Sequence, residues 1–149
     1  MMYLIDTNIL IYYFNDNIPP EQTKEVENIF NNSFNISLIT KIEFLGFPRH
    51  TDNSFKRAEE FLGYAETYNL SSEIIDRTIK LRRNYKIKLP DAIIAATALN
   101  NDFVLVTRNE QDFNNIKNTQ IFNPFSDRMK VCSQTSRACP EEREDGIEF

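Results

Sequence analysis

Short, largely apolar runs recur along this chain and alternate with longer stretches in which apolar residues are more widely spaced. Three runs, residues 2–5, 35–39 and 103–106, have the length and composition of strands buried inside a sheet. Weaker runs at residues 67–70 and 118–122 have the same character. The pattern therefore predicts a sheet of four to five strands.

Between these runs, apolar residues recur every three or four positions, which is the spacing of one face of an amphipathic helix. Thr40 and Glu43 match a capping box, so the third helix is predicted to begin at Thr40, and Ser72 is a candidate cap for the fifth. Strands that alternate with helices favour an α/β fold, a three-layer sandwich whose central, mostly parallel sheet is covered on both faces. The predicted helices cover residues 8–14, 21–30, 40–47, 54–65, 72–85 and 90–99.

The composition changes near residue 125. The chain has 149 residues, which suits one domain, and a net charge of −5. Residues 1–125 carry a net charge of −3 and contain no cysteine, whereas residues 126–149 carry −2, hold Cys132 and Cys139 and show no hydrophobic period. We therefore expect a domain over residues 1–125 and an appended, poorly ordered tail over residues 126–149. The two cysteines lack a second pair and a nearby histidine, so they do not predict a metal site.

The same composition limits the class of protein. No apolar run approaches the roughly 18 residues needed to cross a bilayer, and the apolar start carries Asp6 without a basic leader segment. We expect no membrane segment and, since residues 1–125 lack cysteine, a cytoplasmic location. The net negative charge argues against nucleic-acid binding through bulk positive charge but allows a local basic patch.

Four acidic residues occupy comparable places in the predicted fold. Asp6 and Asp112 follow strands, while Glu43 and Asp91 lie in the first turns of helices. Because parallel sheets place ligands at the carboxyl ends of their strands, these side chains are predicted to converge. Converging carboxylates suit Mg²⁺ or Mn²⁺, and two such ions about 4 Å apart can activate water against a phosphodiester.

Each acid also has a purely structural explanation. Asp6 suits a helix cap, Glu43 the third position of a capping box and Asp91 the positive end of a helix dipole. Asp112 suits a solvated turn. The apolar segments around Asp6 and Asp91 favour the functional explanation, because an acid buried there without a partner is costly.

Residues 77–88 contain six basic residues and no acid, just before Asp91. Such a run can follow RNA phosphates, and it also suits a contact with an acidic partner or a plain solvated helix face. Within this run, the residues predicted to bind RNA are Arg82, Arg83, Lys86 and Lys88. The single histidine, His50, is predicted to be an ordinary surface residue, which favours metal-activated water over histidine chemistry.

The segments YLIDTNILI, ISLITKIEFLGFP, KLPDAIIAATAL and FVLVTRNEQDF occur in this order. In combination they resemble the PIN-domain nucleases, most closely the VapC-type toxins of prokaryotic toxin–antitoxin pairs, over about residues 2–123. The resemblance implies a site in which carboxylates hold Mg²⁺ or Mn²⁺ and polar residues support them. Carried over, the metal-binding and catalytic residues are Asp6, Glu43, Asp91 and Asp112, and the supporting residues are Asn8, Thr107 and Asn109.

The same resemblance implies cleavage of single-stranded or loop RNA, a homodimer and inhibition by a cognate antitoxin. Where many relatives have a second acid beside the third aspartate, this chain has Ala92, which favours weak binding of a second metal. Two other functions stay open. One is a catalytically silent module that binds RNA or a partner. The other, an aspartate-based phosphatase, is disfavoured because the segment DTN lacks the second aspartate that such enzymes use.

Overall fold

A six-stranded sheet forms the centre of the molecule in a computed structural model, which describes residues 1–126 and the backbone of residues 128–131. The strand order is β3-β2-β1-β4-β5-β6. The first five strands in this order run parallel, and β6 runs antiparallel to β5. In chain order the strands are β1 (Tyr3–Ile5), β2 (Asn35–Ser37), β3 (Glu66–Tyr68), β4 (Val104–Val106), β5 (Gln120–Asn123) and β6 (Arg128–Val131).

Six α-helices connect the parallel strands, and a single 3₁₀ turn, Glu110–Asp112, follows β4. None of the helices in this described part is both long and apolar enough to cross a membrane. The helices are α1 (Thr7–Phe14), α2 (Pro20–Asn32), α3 (Leu38–Leu45), α4 (Asp52–Leu62), α5 (Ser72–Asn84) and α6 (Leu89–Asn101).

Two apolar clusters lie on opposite faces of the sheet. Leu4 packs with α5 and α6 in one cluster, whereas the next residue, Ile5, packs with α1 to α4 in the other. This division follows from the strand geometry, because successive side chains point to opposite faces. The predicted three-layer α/β fold is therefore confirmed, with five parallel strands.

The predicted start of α3 is wrong by two residues. The helix begins at Leu38, and Ser37 caps it by accepting a hydrogen bond on Oγ from the amide of Ile39 at 3.1 Å. Thr40 is fully buried inside the helix and does not form a capping box with Glu43. The strand–helix junction is shorter than expected because a serine at the very end of β2 already satisfies a free amide.

Residues 128–131 pair with β5 and so continue the sheet into a segment that the sequence assigned to the tail. The domain boundary near residue 125 stays a prediction. The predicted order of the tail, with Cys132 and Cys139, lies outside the described residues.

Candidate active site

Asp6 is the innermost of the four acids. It follows β1 directly, is 5% exposed and caps α1 by accepting a hydrogen bond from the amide of Thr7 at 2.8 Å. Its second carboxylate oxygen accepts from Thr107 Oγ1 at 2.7 Å and from Asn8 Nδ2 at 3.0 Å. The cap and the site are thus one arrangement, in which three donors fix the carboxylate.

Asn8 and Thr107 join the start of α1 to the end of β4. Asn8 Nδ2 lies 3.3 Å from Thr107 Oγ1, and Asn8 Oδ1 accepts from the amide of Arg108 at 3.3 Å. Thr107 is fully buried, and its hydroxyl oxygen also accepts from the amide of Asn109 at 3.0 Å. Two of the three predicted supporting residues, Asn8 and Thr107, therefore contact Asp6, while the third, Asn109, reaches this network through its backbone.

Glu43 is reached through two hydroxyl groups, that of Thr7, which the sequence did not indicate, and that of Thr40, which it indicated only as a helix cap. Its Oε1 accepts a hydrogen bond from Thr7 Oγ1 at 2.7 Å, and Thr7 Oγ1 lies 3.2 Å from Thr40 Oγ1. Thr7 has one hydroxyl hydrogen, so Thr40 donates to Thr7 and Thr7 donates to Glu43. Glu43 itself is exposed on α3, and the two buried threonines orient it.

Asp91 lies half-buried in the first turn of α6, directly after Pro90. Its pKa is raised to about 7, mainly by burial and also by the charges of Asp6, Asp112 and Glu43, while Lys88 lowers it. The helix start is favourable for an acid, but it does not compensate for these surroundings.

The pKa of Asp6 is raised for the same reasons. Its pKa is raised to about 6, mainly by burial and also by the charges of Glu43 and Asp112, while hydrogen bonds from Thr107 and Thr7 lower it. Asp112, the last residue of the 3₁₀ turn, thereby shares the electrostatic environment of Asp6 and Asp91. The structure brings the four acids of the sequence analysis within electrostatic reach of one another.

The donor chemistry of this carboxylate cluster (Asp6, Glu43, Asp91 and Asp112) fits a hard divalent cation, because it offers oxygen ligands only and the ionised carboxylates repel one another. Within residues 1–126, no three acidic, histidine or cysteine side chains are arranged to hold a metal by themselves. Mg²⁺ commonly uses one or two carboxylates and keeps several waters, so the cluster suits that ion rather than a closed, all-protein metal cage.

The predicted basic residues lie at the end of α5 and in the connection to α6. Arg82, Arg83, Lys86 and Lys88 are all exposed. Arg82 Nη1 donates to the carbonyl of Ile87 at 2.7 Å, so this arginine also closes the connection. Lys88 lies near enough to lower the pKa of Asp91, which places one end of the run beside the carboxylate cluster.

His50 was expected to be an ordinary surface residue. Instead it is half-buried and links two helices. One ring nitrogen, Nε2, lies 2.9 Å from the carbonyl of Phe44, and Nδ1 lies 3.0 Å from Ser54 Oγ. The imidazole thus connects the end of α3 to the start of α4. Its ring contacts four aromatic neighbours, Phe14, Phe44, Phe47 and Phe55.

Comparison with known proteins gives one family. A family model described as PIN domain matches residues 3–118. Among solved structures, a toxin–antitoxin complex from Klebsiella pneumoniae is 35% identical, with 82% of this chain and 97% of that chain covered and a TM-score of 0.69.

Two further structures show the same likeness. VapBC-1 from nontypeable Haemophilus influenzae is 26% identical, and VapBC2 from Rickettsia felis, bound to a DNA fragment from its promoter, is 25% identical. In both cases the match covers 83% of this chain and 98% of the chain in the solved structure, with a TM-score of 0.71. No curated protein matches the chain.

Proposed function

The chain belongs to the PIN-domain family, and on that basis we propose that it is a divalent-metal-dependent endoribonuclease that acts as the toxin of a toxin–antitoxin pair in the cytoplasm. One observation carries the proposal. Burial and mutual repulsion raise the pKa of Asp6 to about 6 and that of Asp91 to about 7. A fold keeps such repelling carboxylates together where function requires them, and cation binding relieves the repulsion.

Asp6 and Asp91 are the principal metal-binding residues in this proposal. Glu43 and Asp112 complete the site directly or through water. A bound Mg²⁺ or Mn²⁺ would supply Lewis-acid activation of water and charge neutralisation at the scissile phosphate. Asn8 and Thr107 keep the Asp6 carboxylate in a fixed orientation. Thr7 and Thr40 do the same for the Glu43 carboxylate.

RNA would approach along the exposed basic residues between α5 and α6. Phosphates bind to such residues by releasing counterions, which accounts for affinity without sequence preference. Lys88 joins this surface to the carboxylate cluster, because it lies within electrostatic reach of Asp91. The net charge of −5 does not oppose this proposal, since bound cations would offset the four carboxylates.

A protein antitoxin and a homodimer belong to the same proposal. The Klebsiella pneumoniae neighbour is described as a toxin–antitoxin complex, and the chain covers 97% of it. A groove between α1, α2 and α4 offers aromatic side chains that would receive an apolar partner segment. Its lining includes Tyr13, Phe30, Phe34, Phe61 and Tyr64.

Digestion of total RNA by the purified chain tests the nuclease activity. Cleavage is expected with Mg²⁺ or Mn²⁺, is abolished by a chelator and falls at least about 100-fold in Asp91→Asn. Asp76→Asn removes an exposed carboxylate from α5 and is the matched control, with activity unchanged. Cleavage that persists in Asp91→Asn, or that ignores the chelator, would contradict the proposal.

A catalytically silent binding module is the second candidate. Ala92 favours it, because this residue is fully buried in the apolar cluster and supplies no carboxylate at a position where the family resemblance implies one. RNA binding without cleavage in either metal, unchanged in Asp91→Asn, would establish the silent module. Metal-dependent turnover lost in that variant would exclude it.

A further inference from the structure

Arg108 is an exposed cation attached to the network that holds Asp6. It directly follows Thr107, and its amide donates to Asn8 Oδ1 at 3.3 Å. Asn8 and Thr107 both donate to the Asp6 carboxylate. The backbone of Arg108 is therefore fixed relative to the carboxylate cluster.

The side chain of Arg108 is fixed by two aromatic rings. Its guanidinium carbon lies 4.3 Å from the ring centroid of Phe125 and 5.0 Å from that of Tyr12. The two rings contact each other edge to face, with centroids 5.4 Å apart. Stacking orders a guanidinium but leaves its N–H donors, which lie in its own plane, available to a ligand.

The position of this stack relates it to the site. Tyr12 lies four residues after Asn8 on α1, so both are on the same face of the helix, about 6 Å apart along the axis. The backbone of Arg108 is at Asn8 and its guanidinium is at Tyr12. The side chain thus runs from the residues that hold Asp6 towards Tyr12, so the guanidinium is offset from them along α1.

We propose that Arg108, held by Tyr12 and Phe125, binds the phosphate of the nucleotide next to the cleaved one in a single-stranded RNA. The inference rests on the proposed ribonuclease function and adds a positioning residue outside the basic run of residues 77–88. A planar guanidinium can hold phosphate oxygens through two parallel hydrogen bonds. A cation here also reduces the repulsion that four carboxylates exert on a polyanion.

A purely structural role for Arg108 predicts something different. The stack also attaches Phe125, in the turn after β5, to α1. If Arg108 did only this, its loss would lower the stability of the protein without weakening RNA binding. The chain contains an internal control for this distinction. Arg57 on α4 is likewise exposed and stacks on an aromatic ring, Phe14, at 5.0 Å, but at the opposite end of α1 from Asp6.

The experiment measures RNA binding by the full chain in Mg²⁺, in an Asp91→Asn background that leaves the RNA intact. Fluorescence anisotropy with an end-labelled, mixed-sequence single-stranded RNA gives the dissociation constant from roughly 50 to 200 mM salt. We expect Arg108→Gln to weaken binding about five- to tenfold and to reduce the slope of log affinity against log salt by about 0.7, the value for one phosphate contact on a single strand.

Two further variants complete the design. Arg57→Gln is expected to stay within about twofold of the parent. Arg108→Lys is expected to keep the slope but lose part of the affinity, because an ammonium preserves the charge without the planar stack. Melting temperatures of all variants are measured alongside.

The failures of the two proposals are separable. If the wild-type chain cleaves no RNA and the Asp91→Asn parent binds none, the proposed function fails. If the parent binds and Arg108→Gln binds with the same affinity and salt slope, the inference about Arg108 is overturned while the ribonuclease stands. A lower melting temperature with an unchanged slope assigns Arg108 to a clamp or a protein contact and overturns it too, as does an equal loss in Arg57→Gln.

Discussion

At the scale of single residues, the carboxylate cluster destabilises the metal-free fold. Asp6 and Asp91 are held where their ionised forms are unfavourable, with pKa values of about 6 and about 7 against an ordinary 3.8. A carboxyl whose pKa is raised by folding contributes stability that is fully present below its unfolded pKa and is lost as the pH rises through its folded pKa. The chelated protein is therefore expected to lose stability between about pH 4 and pH 7.

Asp91→Asn tests this expectation. In the presence of a chelator at pH 8, we expect the variant to exceed the wild type in free energy of unfolding by about 1 kcal/mol, less than the full pKa shift implies because solvent screens a half-buried carboxylate. At pH 5, which is still above the ordinary pKa of 3.8, the difference should fall to less than half of its value at pH 8. Thermal melts at both pH values measure it, with Asp76→Asn as the exposed control. A variant less stable than wild type at pH 8 would contradict the assignment.

The two buried threonines below Glu43 give a second prediction. Thr7→Val keeps the shape of the side chain but removes the hydroxyl that donates to Glu43. We expect metal affinity and RNA cleavage to fall about tenfold or more, as for other residues that orient a metal ligand. Thr7→Ser restores the hydroxyl and should recover most of the loss. A Thr7→Ser variant as defective as Thr7→Val would show that packing, not the hydrogen bond, accounts for the effect.

At the scale of elements, the sequence pattern located strands and helices better than their ends. The clear apolar runs identified β1, β2 and β4, because these strands are almost entirely buried, and the weaker runs marked the more exposed β3 and β5. The predicted start of α3 and the predicted cap of α5 are wrong, since several adjacent polar residues can cap a helix and only the backbone geometry selects one. Ser71, not Ser72, caps α5 by accepting from the amide of Ile74 at 3.2 Å.

The cap of α5 can be tested with neighbouring serines. Ser71→Ala should lower the free energy of unfolding by about 1 kcal/mol, because the amide of Ile74 loses its acceptor. Ser72→Ala, one residue into the helix, should change it by no more than a few tenths of a kcal/mol. Chemical denaturation of both variants measures the difference. Equal losses would contradict the assignment of the cap.

At the scale of the whole molecule, the candidate site depends on segments far apart in the chain. The strand-end rule led to all four acids, because it relates sequence position to the edge of a parallel sheet. It gave no indication that Thr40 contacts Thr7, or that the rings of Phe125 and Tyr12 contact each other. Such contacts join residues separated by dozens of positions, and single-sequence periodicity carries no information about them.

Metal binding should appear in the stability of the entire chain. A ligand that binds only the folded state at 100 times its dissociation constant stabilises it by about 2.7 kcal/mol. We therefore expect Mn²⁺ at pH 7.5 to raise the melting temperature of the wild type by several degrees, and that of Asp91→Asn by much less. Calorimetric melts with and without Mn²⁺ provide the measurement. The same rise in both proteins would place the ion elsewhere.

Because β1 has only three residues, it restricts which insertions and deletions this protein can tolerate. Leu4 supports one apolar cluster, Ile5 the other, and Asp6 follows at once. An insertion of one residue within β1 would exchange the two layers. An insertion of two would keep the faces but advance the carboxylate by about 6.6 Å, away from Thr107 and Asn8. Loops elsewhere can lengthen, whereas this central strand can neither grow nor shrink without losing the core or the chemistry.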